Sequence, residues 1–207
     1  MPKFPEPPVA ATLAGVVPDL LTIRPGERFW RVYFRGGSHP TFWNSFRAFG
    51  PTRGRFDHHL PPPRIQERGI LYAATHGQTS LAEVFQESRT IDRNLGEPWL
   101  VAFEMRAAVV LLDLSGAWPT RAGASMAISN GPKPRSQRWA RAIYEAYPEV
   151  QGLLYASSMY KNQRSIALFE RGESALSIPP LFHRPLADPG LLPTIKQVAH
   201  EIGYRLI

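Results

Sequence analysis

Ile70-Leu71-Tyr72-Ala73-Ala74 runs through Thr75-His76-Gly77-Gln78 into Thr79-Ser80-Leu81-Ala82-Glu83-Val84-Phe85. The first five residues are apolar and aromatic and read as a short strand. Thr79 or Ser80 then supplies an N-cap, and Leu81, Val84 and Phe85 share the apolar face of a helix that reaches about Glu87. Beyond that helix the chain breaks any regular strand–helix alternation. Residues 99–105 and 109–114 read as two buried strands in succession, and Arg106-Ala107-Ala108 between them is short enough for a hairpin, although it lacks the Asn-Gly signal. Strands and helices that mix without βαβ order predict an α+β domain with mixed or antiparallel sheets flanked by helices, not a doubly wound parallel sheet.

Upstream, Phe29-Trp30-Arg31-Val32-Tyr33 reads as a strand that Gly36-Gly37 ends. Residues 38–68 are rich in Gly, Pro and Arg, include Pro61-Pro62-Pro63, and hold no period, so they predict a long loop of the kind that faces ligands. Residues 1–27 carry prolines at 2, 5, 7, 8, 18 and 25. They predict an extended arm with one helical turn around residues 10–13, not a separate domain. Downstream, Ser136 is expected to cap a helix whose buried stripe is Trp139, Ile143 and Tyr147. Strands over 152–156 and 165–169, a loop over 179–193 and a terminal helix with Ile195, Val198, Ala199 and Ile202 on one side complete the chain.

Composition narrows the chemistry. The 207 residues are 43% hydrophobic, enough for a sizeable core, and contain no cysteine, which removes disulfides and thiolate catalysis. Histidines at 39, 58, 59, 76, 183 and 200 show no metal-ligand spacing, so no metal is expected. No apolar run reaches the roughly 18 residues of a membrane span, and Met1-Pro2-Lys3-Phe4-Pro5 lacks the apolar stretch of a secretion signal. The expectation is a soluble, cytoplasmic protein. GxGxxG and GxxxxGK[ST] are both absent. The net charge of +7 comes mostly from arginine and suits an anionic ligand. Those arginines are scattered and have no aromatic platform beside them, which argues against direct nucleic-acid binding.

Four polar residues stand at element ends in apolar surroundings: Arg31 in its strand, Arg55 in Gly54-Arg55-Phe56, Glu83 in Ser80-Leu81-Ala82-Glu83, and Ser157 after Leu153-Leu154-Tyr155-Ala156. On residue types alone each has an ordinary explanation. Arg31 fits a strand-edge bridge to carboxylates, Arg55 a solvated turn, and Ser157 or its neighbour Ser158 a turn hydroxyl. Ser80-x-x-Glu83 has the form of a capping box, in which the glutamate only returns a hydrogen bond to the helix start. Tyr72, like Tyr33 and Tyr155, fits a core position with its hydroxyl at the edge. His76 is an ordinary loop histidine.

The order of the pieces carries more. Trp30-Arg31-Val32, Gly54-Arg55-Phe56, Ile70-Leu71-Tyr72-Ala73, Ser80-Leu81-Ala82-Glu83-Val84 and Leu154-Tyr155-Ala156-Ser157, followed by Ile166-Ala167-Leu168-Phe169, resemble in sequence and succession the motifs of the RES-domain family, named for an arginine, a glutamate and a serine. The resemblance covers roughly residues 28–171. It departs from the family at Phe56-Asp57, where Trp-Asn is frequent, and in a segment between Arg55 and Tyr72 lengthened by the proline run.

The resemblance implies a RES-like catalytic domain over residues 28–207 behind the arm, with a fold similar to ADP-ribosylating toxins. It further implies an NAD⁺-degrading toxin that breaks the nicotinamide–ribose bond, NAD⁺ being substrate and no cofactor being needed. Arg31, Glu83 and Ser157 would be catalytic, and Arg31, Arg55, Tyr72 and Ser157 would hold NAD⁺. Inorganic phosphate or water is the implied acceptor, with a protein side chain as the alternative, and a helix-turn-helix antitoxin is the implied partner; self-association stays open. A non-enzymatic binding module for an anionic partner is the rival of another class, supported by the +7 charge and the proline-rich arm.

Overall fold

The computed structural model describes residues 4–176 and 179–207, so residues 1–3 of the expected arm lie outside it. In chain order the described elements are α1 (Ala10–Leu13), β1 (Leu20–Ile23), β2 (Arg28–Phe34), β3 (Arg47–Gly50), β4 (Arg64–Ala74), α2 (Gly77–Val84), β5 (Thr90–Ile91), β6 (Pro98–Glu104), β7 (Val109–Asp113), α3 (Trp118–Arg121), α4 (Ala127–Asn130), α5 (Lys133–Ala146), β8 (Gly152–Ala156), β9 (Arg164–Phe169), β10 (Phe182–Pro185), α6 (Leu192–Ile202) and β11 (Arg205–Leu206). The main sheet runs β1-β7-β8-β9-β4-β2-β6-β10, with β3 added beside β4, and β5 pairs with β11 apart from it. Its pairs are antiparallel except β7 with β8. This is the mixed α+β architecture that the succession of strands predicts.

The sheet is forked. β2 pairs with β6 along its whole length, from Arg28↔Glu104 to Phe34↔Pro98, and β4 pairs with β9 from Ile70↔Phe169 to Ala74↔Ser165. Between β2 and β4 the register holds at Trp30↔Ala74 alone. Two half-sheets therefore meet at one point and diverge. Backbone groups facing such a gap need other partners, and the N–H of Val32 donates to Ser80 Oγ at 2.8 Å. One core cluster packs α5 and its Trp139, Ile143 and Tyr147 against the β8–β9 side. Another packs Leu81 and Phe85 of α2 with Ile195, Val198 and Ala199 of α6 on the β2–β6 side.

Several local expectations change in three dimensions. Residues 99–105 and 109–114 form no hairpin: Met105 exchanges backbone hydrogen bonds with Gly26 and Glu27 and bridges to Leu176, which sends the chain from β6 to the other half-sheet. The long loop is shorter than expected, because β3 gives the polar residues at the start of β4 a partner strand. The loop over 179–193 contains β10, recruited by the edge of β6. Neither Thr79 nor Ser80 caps α2, which begins at Gly77 after His76, and Ser136 lies inside α5, where its hydroxyl donates to the carbonyl of Ile128. The arm forms α1 where the helical turn is expected and adds β1 to the sheet opposite β7. It is fastened to α5 by Trp139 Nε1 on the carbonyl of Pro5 and by Glu6 between Arg135 and Arg138.

Candidate active site

The fork opens into a cleft of two lobes. The first, about 310 Å³, is walled by β2 from Arg31 to Phe34, by β4 around Tyr72 and by Ser80 and Glu83 of α2. The second, about 200 Å³, lies between the turn carrying Arg53, Gly54 and Arg55, the end of α2, and Ser129 and Lys133. Tyr72, Glu83, Val84 and Tyr155 border both lobes and form the waist. On α2 the spacing Ser80, Glu83, Val84 turns one face to the cleft while Leu81 and Phe85 face the core. Val84, expected in the apolar stripe, is exposed on the cleft side.

Glu83 is no capping-box partner, since Ser80 is a helix-interior residue whose hydroxyl accepts from Val32. Its Oε1 accepts a 2.5 Å hydrogen bond from Ser157 Oγ, and Gln86 Nε2 lies 3.4 Å from its Oε2. Burial raises its pKa above the ordinary value, against the lowering pull of Ser157, Arg55 and Lys133. Ser157 sits just past β8 and is 1% exposed. The N–H groups of Met159 and Tyr160 donate to its oxygen at 3.1 and 3.3 Å, which directs the hydroxyl proton toward Glu83. Ser157 thus stands behind the carboxylate and borders neither lobe, whereas the exposed Ser158 borders the second. In this arrangement the Ser157 hydroxyl proton is committed to Glu83.

Arg31 is 9% exposed, donates to the carbonyl of Ser45 at 3.2 Å, and has no carboxylate partner among the described residues. Burial brings its pKa down to about 10. An arginine at a strand edge bridging carboxylates is therefore not what the structure holds; the charge is desolvated and its remaining donors are available to the first lobe. Arg55 is half-buried, donates to the carbonyl of Gly131 at 2.6 Å, and feels Glu83 across the second lobe. Arg31 and Arg55 do not share a lobe.

The turn that presents Arg55 is fixed from beneath by Asp57. Its carboxylate takes hydrogen bonds from Thr52 N at 2.6 Å, Thr52 Oγ1 at 2.9 Å, Arg47 Nη2 at 2.8 Å and the ring of His59. Burial on its own pushes the Asp57 carboxyl up, and these donors together hold it well below the usual carboxylate range. Tyr72 Oη accepts from Phe56 N at 3.1 Å, and burial raises its pKa. A Cβ at Gly54 would lie 2.8 Å from that oxygen, so glycine allows the turn to close on Tyr72.

The structure brings Arg31, Arg55, Tyr72 and Glu83 to one cleft and adds residues that sequence reading passed over. Tyr155, which stands in the same Tyr-x-Ser run as Ser157, lines the waist with its ring 4.7 Å from that of Phe56. Ser165 in the first lobe and Ser129 in the second are buried, and the Ser129 hydroxyl has no hydrogen-bond partner among the described residues. No sequence signal distinguishes either serine. His76 precedes α2 on a different, apolar groove near Trp30 and Phe182.

A sequence model of the RES domain matches residues 28–188. No curated protein matches the chain. Among solved structures, the crystal structure of the M. tuberculosis MbcT-MbcA toxin-antitoxin complex is similar with a TM-score of 0.57 at 17% identity, over 85% of this chain and 92% of the matched chain. At that identity the likeness is one of fold.

Proposed function

The chain belongs to the RES-domain family, and from that premise we propose that it is a toxin that consumes NAD⁺ by breaking the bond between nicotinamide and ribose. The observation that carries the reading is the position of Glu83, a desolvated carboxylate aimed by Ser157 at the waist of a cleft with an arginine in each lobe. In this reading nicotinamide lies in the first lobe among Tyr33, Tyr72 and Arg31, and the ribose carbon that carries it lies at the waist. The leaving ring takes the bonding electron pair and departs neutral, so no strong acid is needed. Positive charge grows on the ribose, and a fixed carboxylate in a water-poor site stabilises it more than water would. An oxygen of the acceptor then forms the new bond to that carbon. Arg55 serves the anionic part of the substrate as a planar, permanently charged fork.

Phosphate is the acceptor we favour, giving ADP-ribose phosphate, with water or a protein side chain as the alternatives. NAD⁺ labelled in the ADP-ribose part, incubated with the purified chain, separates the three as ADP-ribose phosphate, free ADP-ribose or labelled protein. At constant ionic strength, which keeps screening fixed, the rate of nicotinamide release should rise and saturate with phosphate. A rate indifferent to phosphate with plain ADP-ribose as product would leave a hydrolase. No nicotinamide released under either condition would leave an anion-binding module instead. The likeness in fold to a chain of a toxin-antitoxin complex supports a protein antitoxin as partner, which we propose is of the helix-turn-helix kind.

A further inference from the structure

The second lobe holds more positive charge than the waist carboxylate balances. Lys133, the first residue of α5, and Arg53, in the turn before Arg55, both border it beside Arg55. The two cations share one carboxylate: Lys133 Nζ is 3.2 Å from Glu87 Oε1 and Arg53 Nη1 is 3.7 Å from Glu87 Oε2. Glu87 is exposed and lies just past the end of α2, so it spans the mouth of the lobe from outside. Deeper in the same lobe the Ser129 hydroxyl, on a residue 5% exposed, has no partner among the described residues. A buried hydroxyl without a partner is costly unless something binds it. Two cations held on either side of a single anion describe a place for an anion with several acceptor oxygens.

We propose that this lobe is a phosphoryl subsite, in which Lys133, Arg53 and the Ser129 hydroxyl bind a phosphate group that displaces the Glu87 carboxylate. Exposed ion pairs contribute little, so Glu87 gives way at small cost. The diphosphate of a dinucleotide brings two charges and four non-bridging oxygens, and inorganic phosphate close to two charges and four oxygens, where the carboxylate brings one charge and two oxygens. As a statement about substrate the proposal rests on the NAD⁺-consuming reading; as a statement about anion binding it stands on the lobe alone. The phosphate belongs either to the diphosphate of the dinucleotide or to the free acceptor, and the chemistry of the site is the same for both.

Calorimetric titration with inorganic phosphate and, separately, with ADP-ribose tests it at constant ionic strength. Glu87→Gln should tighten whichever probe occupies the lobe by about two- to fivefold, the worth of an exposed pair. Lys133→Ala should weaken it by about tenfold or more, and Ser129→Ala should weaken it in the same direction. Phosphate that competes with ADP-ribose identifies the dinucleotide's own phosphates as the occupant. Phosphate that binds alongside ADP-ribose identifies the acceptor. Affinities for both probes that stay put in Glu87→Gln and Lys133→Ala overturn the subsite. Parallel measurement of nicotinamide release separates the two levels: release with KM values for both NAD⁺ and phosphate unmoved by Lys133→Ala removes the subsite and spares the NAD⁺ reading. Anion binding that follows these variants without any release does the reverse.

Discussion

Glu83 and Ser157 form a pair in which each residue has a separable effect. Burial raises the Glu83 pKa, so the folded state disfavours the ionised form. For a raised pKa the sign is that wild-type stability is fully present below the unfolded value of 4.5 and is lost as pH rises through the folded value. Glu83→Gln should therefore match or exceed wild type in melting temperature at pH 7, lose that advantage as pH falls toward 4.5, and reduce NAD⁺ turnover by about 10²-fold or more. Activity falling only in step with stability would make Glu83 a structural residue. Ser157→Ala removes a hydrogen bond that lowers the Glu83 pKa. It should move the acid limb of the kcat profile to higher pH and lower kcat by about tenfold, the size of a hydrogen bond to a charge, while KM changes little. A uniform loss of kcat with an unmoved profile would remove Ser157 from its orienting role. Arg55→Lys keeps charge but loses the forked donor pair, and NAD⁺ affinity measured on the Glu83→Gln background should fall; unchanged affinity would place Arg55 outside the site.

At the scale of elements, the turn over residues 51–57 presents Arg53, Gly54 and Arg55 to the cleft without a helix or strand of its own. Asp57 supplies the order instead, gathering donors from Thr52, Arg47 and His59. Removing one member of a buried charged group strands the others, so Asp57→Ala should cost about 3–5 kcal/mol in denaturant unfolding. Because the Asp57 pKa is held low, its contribution is present above the unfolded value of 3.8 and lost as pH falls through the folded value. The wild-type advantage over Asp57→Ala should begin to shrink as pH falls below 3.8 and continue to shrink toward the lower folded value. Gly54→Ala tests the other side of the turn. Its Cβ would force the Tyr72 hydroxyl off the Phe56 amide, so KM for NAD⁺ should rise. A KM equal to wild type would show that the approach of turn to tyrosine does not shape the cleft. α2 is positioned differently, by Ser80 accepting from a β2 amide at the fork.

The whole molecule is two half-sheets joined at Trp30↔Ala74, with the cleft where they part. A ligand that fills the first lobe touches β2 on one side and β4 and β8 on the other. Binding to the folded state alone at a hundredfold excess over Kd adds about 2.7 kcal/mol. For a chain of this size that is about 5–10 °C in melting temperature. Glu83→Gln protein with saturating NAD⁺ should show a rise of that order, and a melting temperature indifferent to NAD⁺ would remove the cleft as its site.

The order of motifs, the mixed α+β class and the stripes of α5 and α6 were legible in the sequence, because periodicity and succession are local properties that burial then acts on. That Arg31, Arg55, Tyr72 and Glu83 belong together was suggested by their order along the chain, since their separate spacings have ordinary explanations, and the fold places all four at the cleft. The fork, the clamp under the turn and the orientation of Ser157 were not legible. Each depends on which residues distant in sequence come to face one another: Val32 and Ser80 are 48 positions apart, and Ser157 and Glu83 are 74. Ser80-x-x-Glu83 shows the limit most clearly. The pattern is a capping box in one dimension, but the backbone starts the helix at Gly77 and the open edge of β2 claims the Ser80 hydroxyl. Local sequence offered Glu83 a structural partner; the tertiary arrangement withdrew it and left the carboxylate at the waist of the cleft, held by a serine just past β8.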